Sequence, residues 1–213
     1  MLCRSVPVKT LPSSKSRLRP WLDDPSVERL SIAMLSDILE TLQRVRAIDR
    51  IAVATPDPRI AEVAHKVGAE VLSTSVVGLN PSIEAACEVL APTADDAALV
   101  VLGDVAGAQA ADIEALLDAG ARRGVALAPS NDGGTSALLR TPRDTIPAAF
   151  GPNSARAHRE LAGSAGVSFE ELALPSLAID IDERADLEKF ASSAFAGTRT
   201  RALLRELLPD LAT

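Results

Sequence analysis

The chain has 213 residues, a net charge of −7, 47% hydrophobic and 24% charged residues, and only 2% aromatics, with one Trp and no Tyr. This fits one globular domain over residues 1–213 with a core of Ala, Leu, Val and Ile, and it argues against a general nucleic-acid or anionic-membrane surface. Cys3 and Cys87 lack metal-ligand spacing and read as reduced thiols, and no apolar run is long enough to span a membrane, so a cytoplasmic protein is expected.

Arg4 to Val8 is a short candidate strand. It runs into a loop, residues 9–20, that gathers Lys9, Lys15, Arg17 and Arg19 among Ser and Thr hydroxyls. In an acidic protein this local reversal of charge suits an oligophosphate, although a solvated basic loop has the same composition. Ser31 to Val45 has apolar residues at helical spacing. Arg50 to Ala54 reads as a strand, with Thr55 and Asp57 as turn and cap residues for a helix over 59–67. Glu70 to Leu72 is a third strand. In Gly78-Leu79-Asn80-Pro81, Asn80 suits the cap of a helix opened by Pro81, and it could otherwise be presented to a purine edge.

Ala97 to Leu102 is an unbroken apolar run with β-branched residues, the pattern of a strand covered on both faces, and Asp104 stands just past its end. Ligands collect at the carboxyl ends of such strands, which makes Asp104 a candidate site residue, with a turn or cap as its plainer role. A helix over 110–117 and a strand over 125–128 continue the alternation and imply parallel strands joined by right-handed crossovers. Pro129-Ser-Asn-Asp-Gly-Gly-Thr135-Ser136 follows, either a close-approach loop for an anion or a hairpin turn before the apolar 137–139. In Phe150-Gly151-Pro-Asn153-Ser154, Asn153 or Ser154 suits the cap of a helix over 155–162, whose N-terminus favours an anion. His65 and His158 are single helical histidines and read as packing residues. Strands are expected over 169–174 and 177–180, a helix over 183–190 that Asp182 could cap, and a last helix over 200–208. Asp180 and Asp182 share one side of an extended segment, and with Asp104 they form a carboxylate set suited to Mg²⁺.

Taken together, Val6-Pro-Val-Lys9, Lys15-Ser-Arg17-Leu18, Gly78-Leu-Asn80, the acid after the central strand, Asp132-Gly-Gly-Thr135-Ser-Ala-Leu-Leu139, Phe150-Gly-Pro-Asn-Ser154 and Asp180-Ile-Asp182 resemble the 2-phospholactate and phosphoenolpyruvate guanylyltransferases of coenzyme F420 biosynthesis. Val105-Ala-Gly-Ala108 stands where that family usually has a Leu-Pro-Leu-type turn. The resemblance implies a Rossmann-like nucleotidyltransferase fold, α/β, with a mostly parallel central sheet and helices on both faces. It implies Mg²⁺ and GTP, with GMP passed to the phosphate of a three-carbon acid and pyrophosphate released. Phosphoenolpyruvate is favoured as acceptor, 2-phospho-L-lactate comes next, and 3-phosphoglycerate is an alternative. By the same analogy Lys9 and Asp104 are catalytic. Lys9, Lys15 and Arg17 embrace the triphosphate, Gly78, Leu79 and Asn80 lie near the guanine, and Thr135, Gly151 and Ser154 hold the acceptor. Asp104, Asp180 and Asp182 take the metal. The partners implied are small molecules, with neither nucleic acid nor membrane; the next enzyme of the F420 pathway is a candidate for handover of the product, and a homodimer is left open. A molybdenum-cofactor type of nucleotidyltransferase lacks support, because its Gly-Gly-x-Ser-x-Arg-x-Gly loop is absent. A non-catalytic nucleotide-binding protein rests on the altered turn after Asp104 alone.

Overall fold

A computed structural model describes residues 3–8, 15–72, 76–93, 95–120 and 123–211, the first stretch by its backbone alone. Strands β1 (Cys3–Val8), β2 (Ile48–Ala54) and β3 (Glu70–Leu72) pair in parallel. Strands β4 (Ala98–Val101), β5 (Gly124–Pro129), β6 (Thr135–Thr141) and β7 (Ser168–Glu171) form a second sheet in the order β4-β6-β5-β7. β1 lies alongside β4, so the two sheets abut. The sheets are mostly parallel, as expected, with one antiparallel strand. β6 runs antiparallel to both β4 and β5, because the Asp132-Gly-Gly-Thr135 segment folds back as a hairpin turn.

The helices are α1 (Asp24–Leu42), α2 (Pro58–Lys66), α3 (Leu79–Leu90), α4 (Ala110–Ala119), α5 (Ser154–Ala165), α6 (Arg184–Ser192) and α7 (Thr198–Leu207). β4 shows why the sheet is covered twice. Leu99 and Val101 pack with Leu35 and Leu39 of α1 and Ile113 of α4, whereas Ala98 and Val100 pack with Ile83 of α3 and Ala155 of α5. Alternate side chains therefore enter opposite cores, each fully buried aliphatic stabilising the fold by about 1.5–3 kcal/mol. A third core joins the first half of α1 to α6 and α7 through Leu30, Met34, Phe190 and Leu204.

Several boundaries differ from the pattern-based expectation. α1 begins at Asp24, seven residues before the apolar periodicity, because Asp23 accepts a hydrogen bond from Ser26 N at 2.9 Å and Pro25 sits in the first turn. Asp57 caps α2 as expected, accepting from Arg59 N at 2.9 Å. Asn80 does not cap α3; the cap position is Gly78, at φ 104°, and carries no side-chain cap bond. At α5 the cap position is Asn153 in the left-handed region, and neither it nor Ser154 caps through its side chain. Residues 177–180 are not a strand. In place of a ladder, Ala178 O accepts from Asn131 N at 2.9 Å, and Ile181 N, just past the segment, donates to Asp104 O at 3.3 Å. Glu183, not Asp182, is the cap residue of α6, and Asp186 accepts from the N–H groups of both Asp182 and Glu183.

Candidate active site

The bonds that replace the expected strand are the ones that assemble the site. Ile181 N reaches the carbonyl of Asp104, which sets Asp180 and Asp182 beside the end of β4. Asn131 N reaches Ala178, and Ala155 N reaches Gly133 O at 3.3 Å, so the hairpin turn is tied both to the acidic segment and to the start of α5. Between these parts lies an open cavity of about 680 Å³. Asp104, Asp180 and Asp182 line one part of it, and Thr135, Gly151 and Ser154 another.

Lys15 belongs to the acidic part. Its side chain is 4% exposed, and its ammonium donates to Asp104 Oδ2 at 2.9 Å and to Asp182 Oδ1. Burial works against its charge, but the two carboxylates outweigh that and raise its pKa above the ordinary lysine value. Arg17 differs: its side chain is 73% exposed at the cavity rim, 4.0 Å from Glu183. Among the described residues Asp180 has no such neutralising partner. Burial, then the charges of Asp104 and Asp132, push its carboxyl up to about 7.

The donors come from the two glycine-bearing loops. Thr135 and Ser154 are 2% and 1% exposed and meet through a 3.0 Å hydroxyl pair. Asp132, part of the Asp-Gly-Gly-Thr motif, also lines the cavity; it accepts from Ser130 Oγ and from Gly134 N at 2.9 Å, and these bonds keep its pKa low. Of the proposed guanine segment, Leu79 reaches the cavity. Asn80 instead clamps the backbone of Phe150, donating to its carbonyl at 3.0 Å and accepting from its N–H at 2.7 Å. Lys9 lies outside the described residues.

The atypical turn after Asp104 is packed, not loose. Val105, Ala106 and Ala108 are buried, and a Cβ on Gly107 would lie 3.3 Å from Phe195 Cβ and 3.4 Å from Ser176 O. Small residues here let the C-terminal elements close over the turn, and the acid keeps its place.

The acids suit Mg²⁺ in the kind of atom they offer. All the donors are oxygens, as a hard cation needs, and Asp104 Oδ1 is buried with no partner among the described residues. Among the described residues no three His, Cys, Asp or Glu side chains are already gathered as a ligand set. The Lys15 ammonium stands between two of the three carboxylates. The unsatisfied Asp104 oxygen and the uncompensated Asp180 fit a divalent cation in chemistry.

The model of the family described as "Guanylyl transferase CofC like" matches residues 2–211. The chain belongs to that family. It is 37% identical to the phosphoenolpyruvate guanylyltransferase of Sphaerobacter thermophilus, over 90% of this chain and 93% of that one. It is 31% identical to the 2-phospho-L-lactate guanylyltransferase of Methanothermobacter thermautotrophicus, over 96% and 90%. In structure it is similar to a Desulfovibrio desulfuricans protein described as a nucleotide-diphospho-sugar transferase, with TM-score 0.76, 18% identity, and coverage of 98% and 96%. That likeness shows the fold, a nucleotidyltransferase-like α/β architecture, and the family makes this chain a nucleotidyltransferase. No helix among the described residues is long and apolar enough to cross a membrane.

Proposed function

We propose that the protein transfers GMP from GTP to the phosphate of a phosphorylated three-carbon acid, phosphoenolpyruvate first and 2-phospho-L-lactate next, within coenzyme F420 biosynthesis. The observation that carries this reading is the meeting, in one cavity, of Asp104, Asp180 and Asp182 with the donor wall of Thr135, Gly151 and Ser154. The two relatives named above support the acceptor class, since the acids in their names each bear one phosphate and one carboxylate.

The acceptor's phosphate oxygen is already ionised near neutral pH and attacks the α-phosphorus of GTP without a general base. The bond from that phosphorus to its bridging β-oxygen breaks, and pyrophosphate leaves with the electron pair. What remains for the protein is positioning and charge stabilisation. Among the described residues the cavity's carboxylates, Asp104, Asp132, Asp180 and Asp182, outnumber the cations beside them, Lys15 and Arg17. Two phosphorylated substrates would be repelled from such a space without added positive charge. Asp104, Asp180 and Asp182 would hold Mg²⁺, which when bound supplies Lewis-acid stabilisation of the negative charge on the α-phosphate and the leaving group. Lys15 fixes Asp104 and Asp182 in place, Arg17 at the rim meets the triphosphate, and Leu79 offers an apolar surface to the base. Thr135 and Ser154 present hydroxyls to the acceptor's anionic oxygens, and Gly151 lets that loop approach the acceptor closely.

Pyrophosphate release from GTP is the test, with phosphoenolpyruvate, 2-phospho-L-lactate and 3-phosphoglycerate supplied in turn and the Asp104→Ala protein as control. Release with phosphoenolpyruvate that falls by about two orders of magnitude in the variant is expected. GTP binding without release for any of the three acids would overturn the reading, and full activity in the variant would remove Asp104 from it.

A further inference from the structure

His158 looks like a packing residue. It sits in α5 with no exposed surface, and its ring meets Phe150 edge-on with centroids 5.2 Å apart. Yet both its nitrogens are engaged, and together they fix the tautomer. The backbone N–H of Ala149 donates to Nε2 at 2.9 Å. A nitrogen that accepts carries no proton, so the neutral ring bears its hydrogen on Nδ1. Nδ1 lies 3.1 Å from Thr135 Oγ1 and therefore donates to it. Ser154 Oγ pairs with the same oxygen at 3.0 Å. With one lone pair of Thr135 Oγ1 taken by the ring, the two hydroxyls share a single hydrogen bond between them. Two hydroxyl hydrogens serve that one bond, so one of them finds no acceptor among the described residues and is left for the cavity that Thr135 and Ser154 line.

We propose that His158 is a positioning residue that, acting through Thr135, makes the Thr135–Ser154 hydroxyl pair present a hydrogen to the cavity as a donor for an anionic oxygen of the acceptor. This rests on the reading of the Thr135 and Ser154 wall as the acceptor's site. A hydroxyl free to rotate would meet an oxyanion with either its hydrogen or its lone pairs; the ring N–H behind this pair sets it as a donor before the ligand arrives, so no reorientation is needed on binding. The ring is kept neutral by burial first, then by the Arg140 charge, which lower its pKa to about 4 against an opposing bond to the Ser154 backbone. Arg140 comes from β6 and is itself paired with Glu84 of α3 at 2.8 Å.

Two measurements test this. The chain has two histidines, and the other, His65, is exposed, so ¹⁵N imidazole spectra read His158 directly. His158 is expected to stay neutral with its proton on Nδ1 between about pH 8 and about pH 5.5. A proton on Nε2, or a protonated His158 ring in that range, would overturn the proposal. The second measurement is the KM for phosphoenolpyruvate in GTP-dependent pyrophosphate release. Thr135→Val should raise it about tenfold or more, with the KM for GTP unchanged. His158→Gln keeps an acceptor for Ala149 but loses the Nδ1 donor, and should match Thr135→Val. His158→Asn keeps an N–H at the Nδ1 position and should stay within about threefold of the parent. The Thr135→Val/His158→Gln protein should be no worse than Thr135→Val alone. A normal KM in His158→Gln, or equal damage in the Gln and Asn proteins, refutes the relay while leaving the acceptor wall intact. An unchanged KM in Thr135→Val removes the acceptor reading and the relay with it. If none of the acids turns over, the functional reading fails and the spectra alone decide the tautomer.

Discussion

Replacing Lys15 by Met strips the ammonium from between Asp104 and Asp182 at nearly constant volume, and the loss should appear in stability even without substrates. Removing one partner of a fully buried ion pair costs roughly 3–5 kcal/mol, mostly through the charge left behind. Here Lys15 is 4% exposed, but the Asp104 and Asp182 side chains are 23% and 43% exposed, so water screens part of their repulsion. Halving the buried-pair value for this screening gives about 2 kcal/mol. For a chain of this size that corresponds to a Tm lower by about 4–8 °C. Urea unfolding near neutral pH with a chelator present measures it. Lys15→Met/Asp104→Asn should recover about 1 kcal/mol or more relative to the sum of the single changes, since the repulsion is then partly gone. A Lys15→Met protein as stable as the parent, with no coupling to Asp104, would refute the placement of this ammonium between the two acids.

Three further outcomes follow from other parts of the molecule. Asp37, 4% exposed, accepts from Arg199 N at 3.0 Å, Thr200 N at 2.8 Å and Thr200 Oγ1 at 2.7 Å, so Asp37→Ala should cost about 2–3 kcal/mol and make the chain before α7 more sensitive to limited proteolysis. The His158 pKa is depressed from 6.5 to about 4, so the fold favours the neutral ring; the stability this gives is complete above about pH 6.5 and is lost as pH falls toward 4, by at most about 3 kcal/mol. The difference in unfolding free energy between the parent and His158→Asn, measured at both ends of that window, should shrink as the pH falls; a constant difference would contradict it. Asn80→Ala removes both bonds to Phe150 and should raise the KM for the acceptor several-fold with little change for GTP, because the amide braces the loop that carries Gly151. A rise in the KM for GTP alone would place Asn80 at the base instead.

Much of the fold was legible from pattern. The unbroken apolar run at 97–102 points to a strand buried on both faces; the strand spans Ala98–Val101, and its alternate residues do enter two different cores. Local cap chemistry also reads directly where donor and acceptor are two or three residues apart, as at Asp57, while Asp23 to Pro25 carried an equally local signal for the start of α1 that the apolar periodicity does not contain. The errors fell where a short segment satisfies its backbone at long range. Residues 177–180 have a strand's composition, but Ala178 bonds to the loop at Asn131 and the adjoining Ile181 to that at Asp104, and Asn80 has a cap's spacing but spends its amide on Phe150.

The sequence by itself determined the strand and helix alternation, the acid at the end of β4, the order of the loop motifs and the family they belong to, because these depend on periodicity and near-neighbour chemistry. Only the tertiary structure decided how those residues are used. It put Lys15 between Asp104 and Asp182, partners 89 and 167 residues away, left Asp180 beside other acids with its pKa near 7, and turned His158 from an unremarkable helical residue into the group that sets the Thr135 hydroxyl. The physical reason is that a carboxylate's charge, a lysine's burial and a hydroxyl's direction are set by whichever groups the fold brings within about 3 Å, and sequence spacing does not encode such distances.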